Sequence, residues 1–321
     1  MQTFADLATQ FAAYFEKDHF PKTPPTLYDP ARYFLALGGK RVRPVACLMG
    51  NDLFDEVKAD TWHVAVAIEL FHNFTLIHDD IMDKAPLRRN KETVHQKYGE
   101  STALLAGDVM LVAAYEYLNK VNSGVSKYLI SLFNKTAKEV CEGQQLDMDF
   151  EKSSEVDFEA YLHMINLKTS VLLGASLQLG ALLGGAGERN QNLLYQFGRK
   201  LGLAFQVQDD YLDAFGDPNK FGKQVGGDIR ANKKTFLLIH ALQTATPNQR
   251  ATLEALLKTE APDKVDGVLK MFQQCGVDEW AIELKDRYLQ EALQHLDDIA
   301  VLSKRKEPLK ELALFLTQRE H

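Results

Sequence analysis

The sequence predicts an all-α protein that forms one domain over residues 1–321. Three observations support this prediction. Apolar residues recur mainly three and four positions apart, which is the period of helices with one buried face. Strand signals are scarce, because no Asn-Gly or Asp-Gly pair joins two alternating segments (the pair at 266–267 falls in a stretch of helical period) and there is no series of short alternating segments. No internal repeat or low-complexity linker divides the chain.

The elements follow in order from these patterns. The first residues have an amphipathic helical rhythm, and the prolines at 21, 24, 25 and 30 then predict a loop. The helical period returns in seven further stretches, namely 62–77, 101–119, 124–148, 157–183, 189–213, 234–243 and 264–298. Thr246 and Pro247 predict another helix start, with a capping hydroxyl followed by a first-turn proline.

Composition excludes several classes of protein. The chain has 44 acidic against 37 basic side chains and a net charge of −7, which is unfavourable for general nucleic-acid binding. Three widely spaced cysteines indicate neither a disulfide framework nor a zinc site. The N-terminal segment is unlike a signal or transit peptide, and the most apolar stretch, 171–186, is shorter than the roughly 20 residues of a membrane span. We therefore expect a soluble, cytoplasmic protein.

Two aspartate clusters carry the main chemical signal. Asp79 and Asp83 are four residues apart at the end of an apolar helix, and Asp209 and Asp213 repeat that spacing later in the chain. Residues four apart share one helix face, where like charges repel each other. The helix dipole also disfavours acids near a C-terminus. A divalent cation such as Mg²⁺ relieves both conflicts, so the repeated pattern predicts a magnesium site.

Basic residues accompany both aspartate clusters. Lys40, Arg41 and Arg43 lie in the loop after Gly38-Gly39, and Arg88-Arg89 follows the first cluster. One arginine guanidinium can donate two parallel hydrogen bonds to the oxygens of a diphosphate. Lys168 lies in an apolar helix, where a lysine requires an anionic partner. His72 is seven residues before Asp79, on nearly the same helix face. Two kinds of site, for metal and for anions, together predict a diphosphate-binding pocket.

The ordered motifs resemble those of the trans-isoprenyl diphosphate synthases, the polyprenyl synthetase family that includes farnesyl and geranylgeranyl diphosphate synthases. The resemblance covers about Tyr33 to Thr317 and rests on GGKRVRP, ELFHNFTLIHDDIMD, RRN, GQQLDMD, LKTS, FQVQDDYLD and FGKQVGGDIRANKKT. It implies a helical bundle around a deep central cavity, normally in a homodimer. The implied reaction is a prenyl transfer from an allylic diphosphate (dimethylallyl, geranyl or farnesyl) to isopentenyl diphosphate.

The resemblance also implies roles for individual residues. Three Mg²⁺ ions would be held on the allylic diphosphate by Asp79, Asp83 and Asp209, with support from Asp213. The residues implied for isopentenyl diphosphate are Lys40, Arg43, His72 and Arg89. Those implied for the allylic diphosphate are Arg88, Lys168, Gln206, Lys223 and Lys233. The backbone carbonyl of Thr169 would lie near the developing carbocation, and Gln144 and Asp147 would support these groups.

Product length is expected to depend on the side chains below the first cluster. At about 1.5 Å per residue, Phe74 lies roughly 7.5 Å and Phe71 roughly 12 Å along the helix from Asp79. In the family, an aromatic residue five positions before the motif forms the floor of the cavity. A second aromatic at the fourth position, or an insertion in the motif, accompanies the C15 product. Thr75 is not aromatic and the motif has no insertion, so geranylgeranyl diphosphate is favoured over farnesyl diphosphate.

Three alternatives remain open from the sequence. A terpene cyclase has a similar metal site but binds one diphosphate, so Lys40, Arg43, Arg89 and the second aspartate motif argue against it. A His-Asp phosphohydrolase is suggested by His78-Asp79 but needs further spaced histidines, for which no obvious set exists. An inactive partner subunit is expected to lack motif residues, and both motifs are intact here.

Overall fold

The computed structural model describes residues 1–122, 124–153, 155–216, 226–259 and 261–318. The predicted all-α fold is confirmed. The α-helices are α1 (Phe4–Phe15), α2 (Pro25–Ala36), α3 (Val42–Asp52), α4 (Ala59–Met82), α5 (Val94–Tyr98), α6 (Glu100–Leu118), α7 (Ser126–Lys152), α8 (Phe158–Ile165), α9 (Val171–Leu183), α10 (Glu188–Phe215), α11 (Gly227–Arg230), α12 (Phe236–Thr244), α13 (Pro247–Leu257), α14 (Lys264–Gln274), α15 (Val277–Asp297) and α16 (Ser303–Thr317).

Several helix boundaries follow from local chemistry. Thr246 caps α13 by accepting the N–H of Gln249, and Pro247 occupies the first turn as predicted. The predicted stretch 264–298 is two helices, because Gly276 adopts φ 66° between α14 and α15. The predicted proline loop is wrong in part. Pro25 begins α2, where a missing N–H costs nothing, and Pro30 lies inside that helix.

The chain forms two compact units. Unit 1 contains Met1–Asn134, Ala175–Tyr195 and Ala300–Pro308, and unit 2 contains Lys135–Gly174, Gln196–Ile299 and Leu309–His321. The single-domain organisation over residues 1–321 stays a prediction. In the described part of the chain, no helix is both long and apolar enough to cross a bilayer.

Helix α4 is the central element of unit 1 and packs against α3 and α6. Its contact with α6 is close at Gly107, where an added Cβ atom would lie 2.3 Å from Nε2 of His78. Phe71 is buried in this core and meets Phe133 edge-on, with ring centroids 5.3 Å apart. This packing fixes the C-terminal end of α4, which carries the first aspartate cluster.

In unit 2, two glycines cradle a π-helical turn at Asn166–Ser170 between α8 and α9. A Cβ atom at Gly143 of α7 would lie 2.3 Å from the backbone N of Lys168, and one at Gly202 of α10 would lie 2.8 Å from Cα of Ser170. Both helices therefore approach this turn at backbone distance. Isolated π-turns occur often at functional sites, and this one carries Lys168 and Thr169.

Candidate active site

The first aspartate cluster lies where α4 ends. Asp83 caps the helix, and its backbone N–H donates to the carbonyl of Asp79 at 2.9 Å. The side chain of Asp83 is exposed and that of Asp79 is partly buried. Because the carboxylates are on consecutive turns beside the negative end of the helix dipole, this helix end favours a bound cation.

Asp80, the middle acid of this cluster, is only 2% exposed and forms an ion pair with Arg88. Nε of Arg88 lies 2.9 Å from both carboxylate oxygens, and Nη2 lies 2.8 Å from Oδ1. Burial raises the pKa of Asp80, and the Arg88 guanidinium opposes that shift. Asp80 was not among the predicted site residues, although its place between two predicted metal ligands is a usable signal.

A short β-hairpin directs Arg88 and Arg89 to different partners. Strands β1 (Leu87–Arg88) and β2 (Lys91–Glu92) pair in antiparallel register, with Arg89 at φ 52° and Asn90 at φ 61° in the turn. Two positive φ values are typical of a type I′ hairpin turn. Arg89 donates to the carbonyl of Gly38, whereas Arg88 binds Asp80. The sequence did not predict this hairpin, because Arg-Asn replaces the usual Asn-Gly.

The residues expected to bind isopentenyl diphosphate converge in unit 1. Nη1 of Arg43 lies 3.2 Å from Nε2 of His72, and Arg89 contacts the glycine loop. Gly39 adopts φ 147°, a conformation that favours glycine, and a Cβ atom there would lie 2.9 Å from Nη2 of Arg89. Lys40 is an exposed residue of the same loop. Arg43, His72 and Arg89 therefore form one cluster, with Lys40 beside it in the chain.

Burial and nearby positive charge both favour the neutral form of His72. Burial lowers the pKa of His72 well below its usual value, and the guanidinium groups of Arg43, Arg88, Arg89 and Arg41 lower it further. A neutral imidazole donates or accepts a hydrogen bond without adding repulsion among these cations. The local field of unit 1 is therefore suited to an anionic ligand.

The second aspartate cluster lies near the end of α10. Its middle acid, Asp210, is 6% exposed and accepts hydrogen bonds from the hydroxyl of Tyr161 at 3.0 Å and from Nε2 of Gln206 at 2.8 Å. Burial, reinforced by Asp228, raises the pKa of Asp210 to about 7, and Lys233 opposes this shift. Gln206 was predicted to bind the allylic diphosphate. Tyr161 and Asp210 were not predicted, and they hold Gln206 in place.

Asp209 and Asp213 are the outer acids of this cluster, and both are partly buried. One carboxylate oxygen of Asp213 accepts the N–H of Asp228 at 3.0 Å, and its carbonyl accepts the N–H of Gly226 at 2.6 Å. Asp213 thus also fixes the start of α11. The predicted Lys223 lies outside the described residues.

The lysines of unit 2 have distinct surroundings. Nζ of Lys168 lies 2.6 Å from Oδ2 of Asp147, which provides the expected anionic partner. The side chain of Lys233 is exposed, and its backbone N–H donates to the backbone carbonyl of Asp228 at 2.9 Å. Lys234 donates to the carbonyls of Phe150, Glu151 and Ser153 at the C-terminal end of α7. Lys234 therefore caps a helix, where a cation is favourable.

The donor set fits magnesium. Among the described residues, no three His, Cys, Asp or Glu side chains form a preassembled metal cluster. The outer acids instead form one carboxylate pair in each unit. Magnesium commonly takes one or two protein carboxylates and completes its octahedron with water and substrate phosphate oxygens. These residues are the donor type that a magnesium–diphosphate site requires.

The fold and these side chains define an all-α protein with sites suited to diphosphates. The family model "Polyprenyl synthetase" matches residues 24–275. A short chain isoprenyl diphosphate synthase of Methanothermobacter thermautotrophicus is 36% identical over 93% of this chain and 92% of its own length. A geranylgeranyl diphosphate synthase of Methanosarcina mazei is also 36% identical, over 93% of this chain and 91% of its own length. A crystal structure of a geranylgeranyl pyrophosphate synthase is 42% identical and superposes with a TM-score of 0.95, with all of both chains covered.

The chain belongs to the polyprenyl synthetase family, as the motif resemblance predicted. It is a prenyltransferase of the short-chain isoprenyl diphosphate synthase type. The roles assigned to individual site residues stay predictions.

Proposed function

We propose that this enzyme condenses isopentenyl diphosphate with allylic diphosphates in a magnesium-dependent reaction whose main product is geranylgeranyl diphosphate. The observation that carries the proposal is that unit 1 contains two groups of side chains suited to binding a diphosphate, one through a metal ion and one directly. One is the aspartate pair at the end of α4, with Arg88 beside it, and the other is the Arg43–His72–Arg89 cluster. Two such features suit a reaction that uses two diphosphate substrates.

Magnesium would be held by Asp79 and Asp83 and by Asp209 with Asp213, and the expected count is three ions. When bound, it supplies positive charge to the departing diphosphate of the allylic substrate. Arg88, Lys168, Gln206, Lys223 and Lys233 would orient that diphosphate. Lys40, Arg43, His72 and Arg89 would bind isopentenyl diphosphate. The carbonyl of Thr169 would face the developing carbocation, and the apolar surroundings would exclude water from it.

The aromatic residues of α4 support a C20 product. The ring of Phe74 lies 5.6 Å from that of Phe71 and 4.7 Å from that of His78. Thr75 is small, and its hydroxyl donates to the carbonyl of His72 at 2.8 Å, so it adds no aromatic bulk at the fourth position before the motif. Phe74 is therefore the proposed floor for the growing chain.

The direct test is incubation with Mg²⁺, labelled isopentenyl diphosphate and each of the C5, C10 and C15 allylic diphosphates, with products resolved by chain length. The expected main product is C20. Farnesyl diphosphate, or a longer product, as the main species under excess isopentenyl diphosphate would contradict the proposed length. Phe74→Ala should lengthen the product, whereas Phe315→Ala, on a surface 52% exposed, should not.

A homodimer is also proposed, because α6 presents an apolar face to solvent. Leu104, Leu105, Val112 and Tyr115 are 49%, 53%, 58% and 38% exposed. Several large apolar side chains exposed on one helix are typical of a covered interface. Val112→Glu should yield monomers in light scattering, and a wild-type monomer at micromolar concentration would contradict the proposal. The cytoplasmic location likewise remains a prediction, to be checked by cell fractionation.

The alternatives are less well supported. A terpene cyclase has no second diphosphate for the Arg43–His72–Arg89 cluster to bind, and it would not consume isopentenyl diphosphate. A His-Asp phosphohydrolase needs His78 as a metal ligand. Nε2 of His78 lies instead 3.0 Å from the carbonyl of Leu104, beside Gly107. An inactive partner subunit is disfavoured because both aspartate motifs are intact.

A further inference from the structure

A buried ion pair lies under the glycine loop of unit 1. Arg41 precedes α3 with φ 51°, and its guanidinium donates to the carboxylate of Glu69. The side chains of Arg41 and Glu69 are only 13% and 4% exposed. Nη2 of Arg41 also donates to the carbonyl of Leu35 at 3.2 Å, and the guanidinium lies 4.9 Å from the ring centre of Phe15. Arg41 is therefore directed into the protein, although its neighbours Lys40 and Arg43 are predicted substrate ligands.

Glu69 is itself held in place by the next turn of α4. Nδ2 of Asn73 donates to a carboxylate oxygen of Glu69 at 2.8 Å and to its backbone carbonyl at 2.7 Å. His72 is three residues after Glu69 and contacts Arg43. The same part of α4 thus contacts the start of α3 twice, through Glu69 to the capping residue Arg41 and through His72 to Arg43 in the first turn.

Charge explains why this arrangement matters. Arg41 directly precedes α3 and Arg43 lies in its first turn, and Arg88 and Arg89 also act on His72. A buried guanidinium with no counter-charge is strongly unfavourable, and a mobile one would compete for substrate oxygens. Glu69 neutralises Arg41 and fixes the start of α3 at a residue in a left-handed conformation.

We propose that Glu69 and Arg41 are positioning residues for isopentenyl diphosphate: their ion pair fixes the glycine loop and the first turn of α3 (residues 38–43), so that Arg43 is held beside His72 and Gly39 beside Arg89. This inference rests on the proposed function. Arg41 does not bind the substrate. The allylic side has its own anchor, because Asp80 holds Arg88. Loss of the Glu69–Arg41 pair should therefore affect one substrate selectively.

The test is a double-mutant cycle with Glu69→Gln, Arg41→Gln and the double variant. KM is measured for each substrate separately, and isopentenyl diphosphate binding is measured at equilibrium by calorimetry. Each single variant should raise KM and Kd for isopentenyl diphosphate about tenfold or more, with less than about a threefold change in the allylic KM. The double variant should bind no more weakly than the weaker single variant. Glu254→Gln, which breaks an exposed ion pair to Arg250, should change none of these values.

Several results would overturn the proposal. Equal increases in both KM values together with a lower Tm would show that the pair only stabilises the fold. Additive losses in the double variant would show that Arg41 contacts the diphosphate directly. A wild-type protein that binds both substrates without condensing them would reject the proposed function instead, and the equilibrium binding data would still decide the role of the ion pair.

Discussion

The two aspartate clusters have the same sequence pattern but different surroundings. In both, the middle acid is buried and holds a predicted allylic-diphosphate ligand, Arg88 by Asp80 and Gln206 by Asp210. The groups that bond to these two buried carboxylates differ in charge. Asp80 faces a guanidinium, whereas the hydrogen-bond donors to Asp210 are the neutral groups of Tyr161 and Gln206. Burial raises the pKa of both acids, and at Asp210, where the charge of Asp228 adds to the shift and no cation is directly bonded, the pKa reaches about 7.

The last acid of each cluster differs as well. Asp83 is an exposed residue at the end of α4, whereas Asp213 lies inside α10 and accepts the N–H of Asp228. Equal spacing in the sequence therefore does not imply equal roles. In the first cluster the middle acid forms an ion pair and the last acid is exposed. In the second cluster the middle acid accepts hydrogen bonds from neutral groups and the last acid bonds to the backbone at the start of α11.

The largest predicted difference is between the losses of kcat caused by alanine substitution at Asp83 and at Asp213. Asp83→Ala should reduce kcat with saturating Mg²⁺ about 10³-fold, because it removes a carboxylate proposed to bind the metal directly. Asp213→Ala should reduce it only about 10- to 100-fold, as expected for a supporting group that also orders the backbone at α11. Steady-state rates over a Mg²⁺ titration measure both, and Glu311→Ala, an exposed acid on α16, is the control. Equal losses would mean that the two pairs are equivalent.

The next effect concerns the middle acids. Asp80→Asn leaves Arg88 without its counter-charge and should raise the allylic KM about 10- to 100-fold. Asp210→Asn keeps an oxygen that accepts from Tyr161 or Gln206 and removes no ion pair, so the expected increase is below about fivefold. Initial rates at varied geranyl diphosphate check this ranking. The reverse order would refute the distinction between a charged and a neutral anchor.

Much of this architecture was predictable from the sequence, and the reasons for the exceptions are physical. Helical period identified α4 and α10, and spacing identified the outer acids. The hairpin at Arg88-Arg89 was missed because its turn uses Arg and Asn at positive φ, which carries no glycine signal. Helix α2 was missed because its prolines look like loop signals. Pro25 occupies the first turn, where a helix tolerates proline, but Pro30 lies inside the helix, where local rules predict a break.

Side-chain partners were the least predictable features. The need of Lys168 for an anion followed from its apolar neighbours, but only the fold shows Asp147 opposite it as a bonded partner. Tyr161 and Asp210 are 49 positions apart, and Arg41 and Glu69 are 28 apart, so no local pattern links them. Gly143 and Gly202 matter because helices α7 and α10 approach the π-turn closely, which no periodicity reveals.

The adjacent lysines 233 and 234 of unit 2 offer a finer test of the site. Lys233→Met should raise the allylic KM about tenfold if this exposed lysine binds the diphosphate. Lys234→Met should leave KM unchanged and lower the free energy of unfolding by about 1 kcal/mol, because Lys234 caps α7. Kinetics and urea denaturation of both variants separate the roles, and the proposal for Lys233 fails if its KM matches wild type.

The smallest effect concerns the arginine-rich surroundings of His72. Because the folded pKa of His72 is lowered, the unfolded chain gains a proton at His72 as pH falls below about 6.5, whereas the folded chain gains it only at lower pH. The stability contribution of neutral His72 is therefore complete above about pH 6.5 and decreases below it. His72→Gln should lose less stability than wild type between pH 7.5 and 5.5 in urea denaturation. Parallel losses would show that His72 titrates normally.

The central claim is that the aspartate pairs serve a magnesium-dependent condensation. Its most direct test is the initial rate of labelled isopentenyl diphosphate incorporation into prenyl product, with Mg²⁺ or with EDTA, for wild type and Asp79→Ala. We predict rapid incorporation by wild type with Mg²⁺, none with EDTA, and a loss of about 10³-fold in Asp79→Ala. Incorporation that persists in EDTA, or that Asp79→Ala leaves unchanged, would contradict the claim.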